Sequence, residues 1–96
     1  MNLNHLSIFH LVNVRYGKEG KLCTDDGFRN ILDFPECKKA ADTMEKSFAH
    51  SQLINVPDFP KGCFFNINDE IVHFNGHETG KRHSEIKPIC MQSNGK

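Results

Sequence analysis

Ten residues of this chain have side chains that could do chemistry beyond simple acid–base work: four cysteines, Cys23, Cys37, Cys63 and Cys90, and six histidines. The cysteines lie 14, 26 and 27 residues apart. No pair has the C-x-x-C spacing of a zinc knuckle or a redox motif. In a chain of 96 residues four widely spaced cysteines read best as two disulfides. The competing reading is four buried thiols packed as small hydrophobes. A Cys–His nucleophile requires a reduced thiol of low pKa beside an imidazole. Cys63, next to Phe64 and Phe65, reads as buried instead.

Three of the histidines, His73, His77 and His83, fall within the single segment HFNGHETGKRH, with Glu78 and Glu85 close by. Imidazoles in that company suit Zn or Cu. The spacing matches no specific metal motif, and Gly76 and Gly80 mark a loop, where histidines are more often surface residues. His5 and His10 read as strand residues rather than ligands. The acidic pairs Asp25-Asp26 and Asp69-Glu70 sit in turn-like sequence, where turn chemistry explains them. GKEGK lacks the spacing of a phosphate loop. No cofactor is expected.

Composition bounds the rest. The length supports one domain, residues 1–96, with a stapled core over about 16–91. Hydrophobic residues make up 38% of the chain, with eight Phe, one Tyr and no Trp. So thin a core is commonly reinforced by disulfides or metal. Residues 1–48 carry seven charges of each sign and residues 49–96 five of each. The chain has no basic footprint for nucleic acid and no charged tail. No apolar run approaches the length of a membrane span, so no membrane insertion is expected. The opening MNLNHLSIFHLVNV lacks a basic n-region and a small-residue cleavage site, and does not read as a signal peptide.

The elements that would position these residues can be placed. LSIFHLVNVRY, residues 6–16, alternates as a strand. FRNIL suits a short strand. DFPECKKAADTMEKSFAH opens a helix over about 34–50: Asp33 caps it, Pro35 fits the first turn and Glu36 completes a capping box. Cys37, Ala41, Met44 and Phe48 form its apolar stripe. SQLINVPDFPKG reads as a loop broken by Pro57 and Pro60. A hairpin follows. With a turn at Asn68-Asp69, Phe65 faces Val72 and Cys63 faces Phe74, so Cys63, Phe65, Ile67, Val72 and Phe74 share the face toward the helix. Phe64, Asn66, Ile71 and His73 share the other, with Asn75 at its rim. Exposed, those five residues would form an aromatic ligand-binding patch; covered, they would be a second core. A bridge between Cys37 and Cys63 would staple helix to hairpin, and one between Cys23 and Cys90 would tie the ends. The other two connectivities remain open. The fold expected is α+β: one main helix on a small antiparallel sheet with two disulfides.

The succession GKLC, ILDFPECKKAAD, PKGCFF, IVHFN and PIC resembles a pattern of small four-cysteine secreted proteins of marine invertebrates and protists. In architecture it is similar to the PAN/apple module, a helix stapled by disulfide to an antiparallel sheet with bridged ends. The resemblance implies an extracellular, non-enzymatic module that binds a protein or carbohydrate partner. The alternative is a small metal-binding protein or enzyme using residues 73–83. A defence peptide is a third class, against which the zero net charge argues for any cationic membrane mechanism.

Overall fold

The computed structural model describes residues 14–92. In chain order these form β1 (Val14–Tyr16), a 3-10 turn (Cys23–Asp26), β2 (Arg29–Asn30), α1 (Phe34–Thr43), β3 (Ser47–Ile54), β4 (Pro60–Asn66), β5 (Ile71–Gly80) and β6 (Ile86–Met91). The helix is laid on a curled sheet of order β1-β6-β4-β5-β3, with β2 also pairing β6. The fold class is α+β, with disulfides Cys23–Cys90 and Cys37–Cys63. Of the strand expected over 6–16, residues 14–16 are strand. The rest of it, with His5 and His10, lies outside the described residues.

The hairpin has the register expected of it: Cys63 faces Phe74, Phe65 faces Val72 and Asn66 faces Ile71. Its turn is wider than two residues. Glu70 donates its N–H to the Asn66 carbonyl at 2.8 Å, while the Ile67 N–H turns away to Glu85 O at 3.1 Å. Ile67 therefore bonds toward the β6 side rather than across the hairpin.

The helix is shorter than its periodicity suggests. It starts where expected, with the Glu36 N–H donating to Asp33 Oδ1 at 3.3 Å and Pro35 in the first turn. It ends at Thr43, not near residue 50. The Glu45 N–H bonds Asp42 O and the Lys46 N–H bonds Ala41 O, the paired bonds of a Schellman stop. Glu45 takes the left-handed position, φ 60°. The chain then becomes β3, and Phe48 joins the core from a strand rather than from the helix. Residues 51–54, expected as loop, belong to that strand. β3 runs parallel to β5, so the sheet is mixed and not purely antiparallel.

Strand alternation sorts the core into two layers. Cys63, Phe65, Val72, Phe74 and Ile89 point toward the helix and pack with Cys37, Ala40, Ala41, Phe48 and Ile31. On β6 the intervening residues Ile86, Pro88 and Cys90 face the other way, with Phe64 opposite Pro88. All four are buried. Cys90 bonds Cys23 of the 3-10 turn, so that turn lies over the second face. Each disulfide thus pins a cover to one face of the sheet.

β1 and β2 both pair with Met91 and Cys90. A strand has two edges, so β2 must take the edge that β4 vacates beyond Pro88. Gly62 makes this junction possible. Its φ is +89°, and a Cβ there would sit 2.6 Å from the Ile31 carbonyl oxygen.

Candidate functional site

The hairpin face opposite the helix is a second core rather than an open patch. Phe64 is 0% exposed. It stacks on His73 at 5.4 Å between centroids and meets Phe59 at the same distance. Phe59 in turn meets His83 at 5.3 Å. Two phenyl rings therefore separate His73 from His83. His73 Nε2 lies 2.9 Å from Asp69 Oδ2. His77 is occupied elsewhere, its Nδ1 accepting the N–H groups of Thr79 and Gly80 at 3.2 and 2.9 Å. The structure does not gather His73, His77 and His83, and among the described residues no three His, Cys, Asp or Glu side chains are placed to hold a metal.

Asn75, expected at the rim of a ligand patch, is also fully buried. Its Nδ2 donates to the carbonyls of Val56, Phe59 and Pro60 at 2.8, 3.0 and 3.0 Å. Its Oδ1 accepts the N–H groups of Val56 and His77 at 2.9 and 3.2 Å. One amide thus clamps residues 56–60 against β5, where β5 bulges from Asn75 to Gly80 while β4 runs only from Gly62 to Pro60. That buried polar load is fully met, so Asn75 is structural. Asn66 Oδ1 accepts the Asn68 N–H at 2.8 Å and Ile71 is half-buried. Of the five patch residues, Asn66, Ile71 and His73 keep some surface.

The cysteines offer no nucleophile, since all four are in disulfides and none is free.

A different constellation stands on the helix-facing side of the sheet, where Phe65 is 8% exposed and Tyr16 is half-buried. Tyr16 of β1 and Phe65 of β4 bring their rings to 5.6 Å, tilted by 55°. Lys87, directly across from Phe65, holds its ammonium 5.2 Å from the Tyr16 ring centroid. Lys46, just past the helix stop, holds its own 5.3 Å from the Phe65 ring centroid. Among the described residues neither lysine forms an ion pair with a carboxylate. The Tyr16 hydroxyl is buried with no hydrogen-bond partner, and burial pushes its pKa up. Two ammonium groups thus lie over the two aromatic rings, beside a buried hydroxyl that can both donate and accept. Val14, Ile67, Met44 and Met91 are likewise half-buried and pack against the same core.

These four residues, at positions 16, 46, 65 and 87, carry no local motif. They meet only because β1, β4 and β6 adjoin and the helix stops early enough to swing Lys46 over Phe65. The signal that existed was parity: Tyr16, Phe65 and Lys87 all fall on the helix-facing side of their strands.

On the opposite side of the molecule Arg82 grips Asp25, Nη2 to Oδ1 at 2.6 Å. The Leu22 N–H donates to the same carboxylate at 2.7 Å. That backbone bond, followed by the Arg82 contact, holds Asp25 below the usual carboxylate range. The pair ties residues 81–85 to the 3-10 turn.

Comparison with protein-family models, with curated proteins and with solved structures finds no match.

Proposed function

We propose that the protein is a secreted, non-enzymatic binding module whose ligand is an acidic glycan. The observation that carries this reading is the Tyr16–Phe65 ring pair straddled by Lys46 and Lys87 without a carboxylate partner. An exposed cation–π contact is worth about 0.5–1 kcal/mol. A hydrogen bond to a charged group contributes roughly 1.5–3 kcal/mol. Each ammonium can therefore leave its ring for a sulfate or carboxylate at a net gain. Tyr16, half-buried, is the ring with surface to offer a pyranose, while Phe65, 8% exposed, backs it from the core.

Secretion is supported by the two disulfides, which persist in oxidising compartments. No described helix is long and apolar enough to cross a membrane. The likeness to the PAN/apple module rests on architecture: a helix stapled to a sheet, and a second bridge joining an early loop to the last strand.

The test is calorimetric titration with a sulfated polysaccharide and with its desulfated, uncharged counterpart. Binding should be confined to the sulfated chain and weaken with salt, as screening requires. The double variant Lys46→Ala/Lys87→Ala, checked for native circular dichroism, should lose at least about tenfold in affinity, roughly 1.4 kcal/mol. Equal binding to both polysaccharides, or none, overturns the reading. Binding to poly-glutamate but not to the sulfated chain reassigns the partner to a protein.

A further inference from the structure

We infer that Asn75–Gly76 is a chemical modification site that folding keeps shut, so that opening of β5 is converted into irreversible unfolding. Asparagine followed by glycine is the dipeptide most prone to deamidation, because the glycine leaves its own backbone nitrogen unhindered. The Gly76 nitrogen attacks the Asn75 side-chain carbonyl carbon. A C–N bond forms, ammonia leaves, and a cyclic imide results. Water then opens the imide at either carbonyl, giving an aspartyl or an isoaspartyl residue at position 75. The reaction needs only water.

In the folded protein that attack is blocked on every side. The Asn75 carboxamide makes five hydrogen bonds, three through its nitrogen and two through its oxygen. One of them, from the His77 N–H to Oδ1, bridges over Gly76 itself. Turning the carbonyl carbon toward the Gly76 nitrogen would break all five in a site with no water access, since Asn75 is 0% exposed. The barrier to modification is therefore the free energy of opening the clamp between β5 and residues 56–60.

The product cannot return to that place. A carboxylate has no N–H to give the carbonyls of Val56, Phe59 and Pro60. It would meet three acceptor oxygens at hydrogen-bond distance while buried and charged. The isoaspartyl form also adds a main-chain atom to β5 beside its bulge. Either product leaves residues 56–60 unclamped and Pro60 and Gly80 out of register.

The test incubates the protein, disulfides intact, in mildly alkaline buffer with and without denaturant. Modification at position 75 is read by peptide mass spectrometry and refolding by circular dichroism after dilution. Conversion in denaturant should outpace that in buffer by about a hundredfold or more, since only the opened chain reacts. The refoldable fraction should fall in step with the fraction converted. Gly76 is exposed and is not among the glycines with positive φ, so Gly76→Ala fits its backbone and hinders the attack. That variant should convert several-fold more slowly in denaturant and refold for correspondingly longer. Equal conversion rates in buffer and denaturant overturn the inference. So do modified chains that refold to native stability.

Discussion

Asp25 shows how single contacts set the behaviour of the second face. Its carboxylate accepts from the Leu22 N–H and from Arg82, and its pKa is held below the ordinary value. The folded state therefore prefers the ionised form. The stability this contributes is complete above the unfolded pKa, near 4, and is lost as pH falls through the lower folded pKa. Asp25→Asn keeps an acceptor for Leu22 but removes the charge. The wild type should melt higher than this variant at neutral pH, and the gap should close as pH drops below about 4. Thermal melts across that range check it; a gap independent of pH would show the charge is not the cause. The histidines teach the complementary lesson. Three in eleven residues suggested a metal site, yet the β4–β5 pairing put His73 against Phe64, and the chain beyond β5 put His83 against Phe59. Proximity in sequence did not survive the insertion of two phenyl rings.

At the scale of elements, what could be read in advance depended on local punctuation. The helix start was legible because Asp33 and Pro35 are residues that a first turn needs. The hairpin register was legible because a turn centred on Asn68-Asp69 fixes which residues face each other on the two strands. The helix end was not, because its left-handed position holds Glu45 where glycine is usual. β3 was hidden for a second reason. Its pairing with β5 breaks between Phe48 and Leu53, so no period of two runs through it. Parity marked Tyr16, Phe65 and Lys87, but the Tyr16–Phe65–Lys46–Lys87 constellation was not legible as a whole, since Lys46 reaches Phe65 only from that unmarked stop. A non-glycine residue in the left-handed region costs roughly 1 kcal/mol. Glu45→Gly should therefore stabilise the protein by about that amount, about 0.5–1 kcal/mol after the added chain entropy. Urea denaturation checks this; a loss of stability would mean that the Glu45 side chain makes a compensating contact.

Across the whole molecule the organising feature is a sheet too small to hold one deep core, closed instead on both faces. The helix is held to one face by Cys37–Cys63 and the 3-10 turn to the other by Cys23–Cys90. Their sequence separations are 26 and 67 residues. In the chain-entropy model these correspond to about 3.5 and 4.4 kcal/mol, although the mechanism of disulfide stabilisation is model-dependent. Those magnitudes rival the net stability of a small domain, so the covers and the bridges stand together. With both faces closed and every cysteine bridged, the proposed ligand site falls at the margin of the helix-side core, on half-buried Tyr16 and the two lysines beside the ring pair. The most direct measurement is proteolytic mapping, without reduction, of protein from its native source. Two linked peptide pairs are expected, Cys23 with Cys90 and Cys37 with Cys63, and no alkylatable thiol before reduction. Free thiols, or Cys37 joined to Cys23 or Cys90, would contradict this pairing, because neither cover would then be pinned to its face and the secreted reading would lose its support.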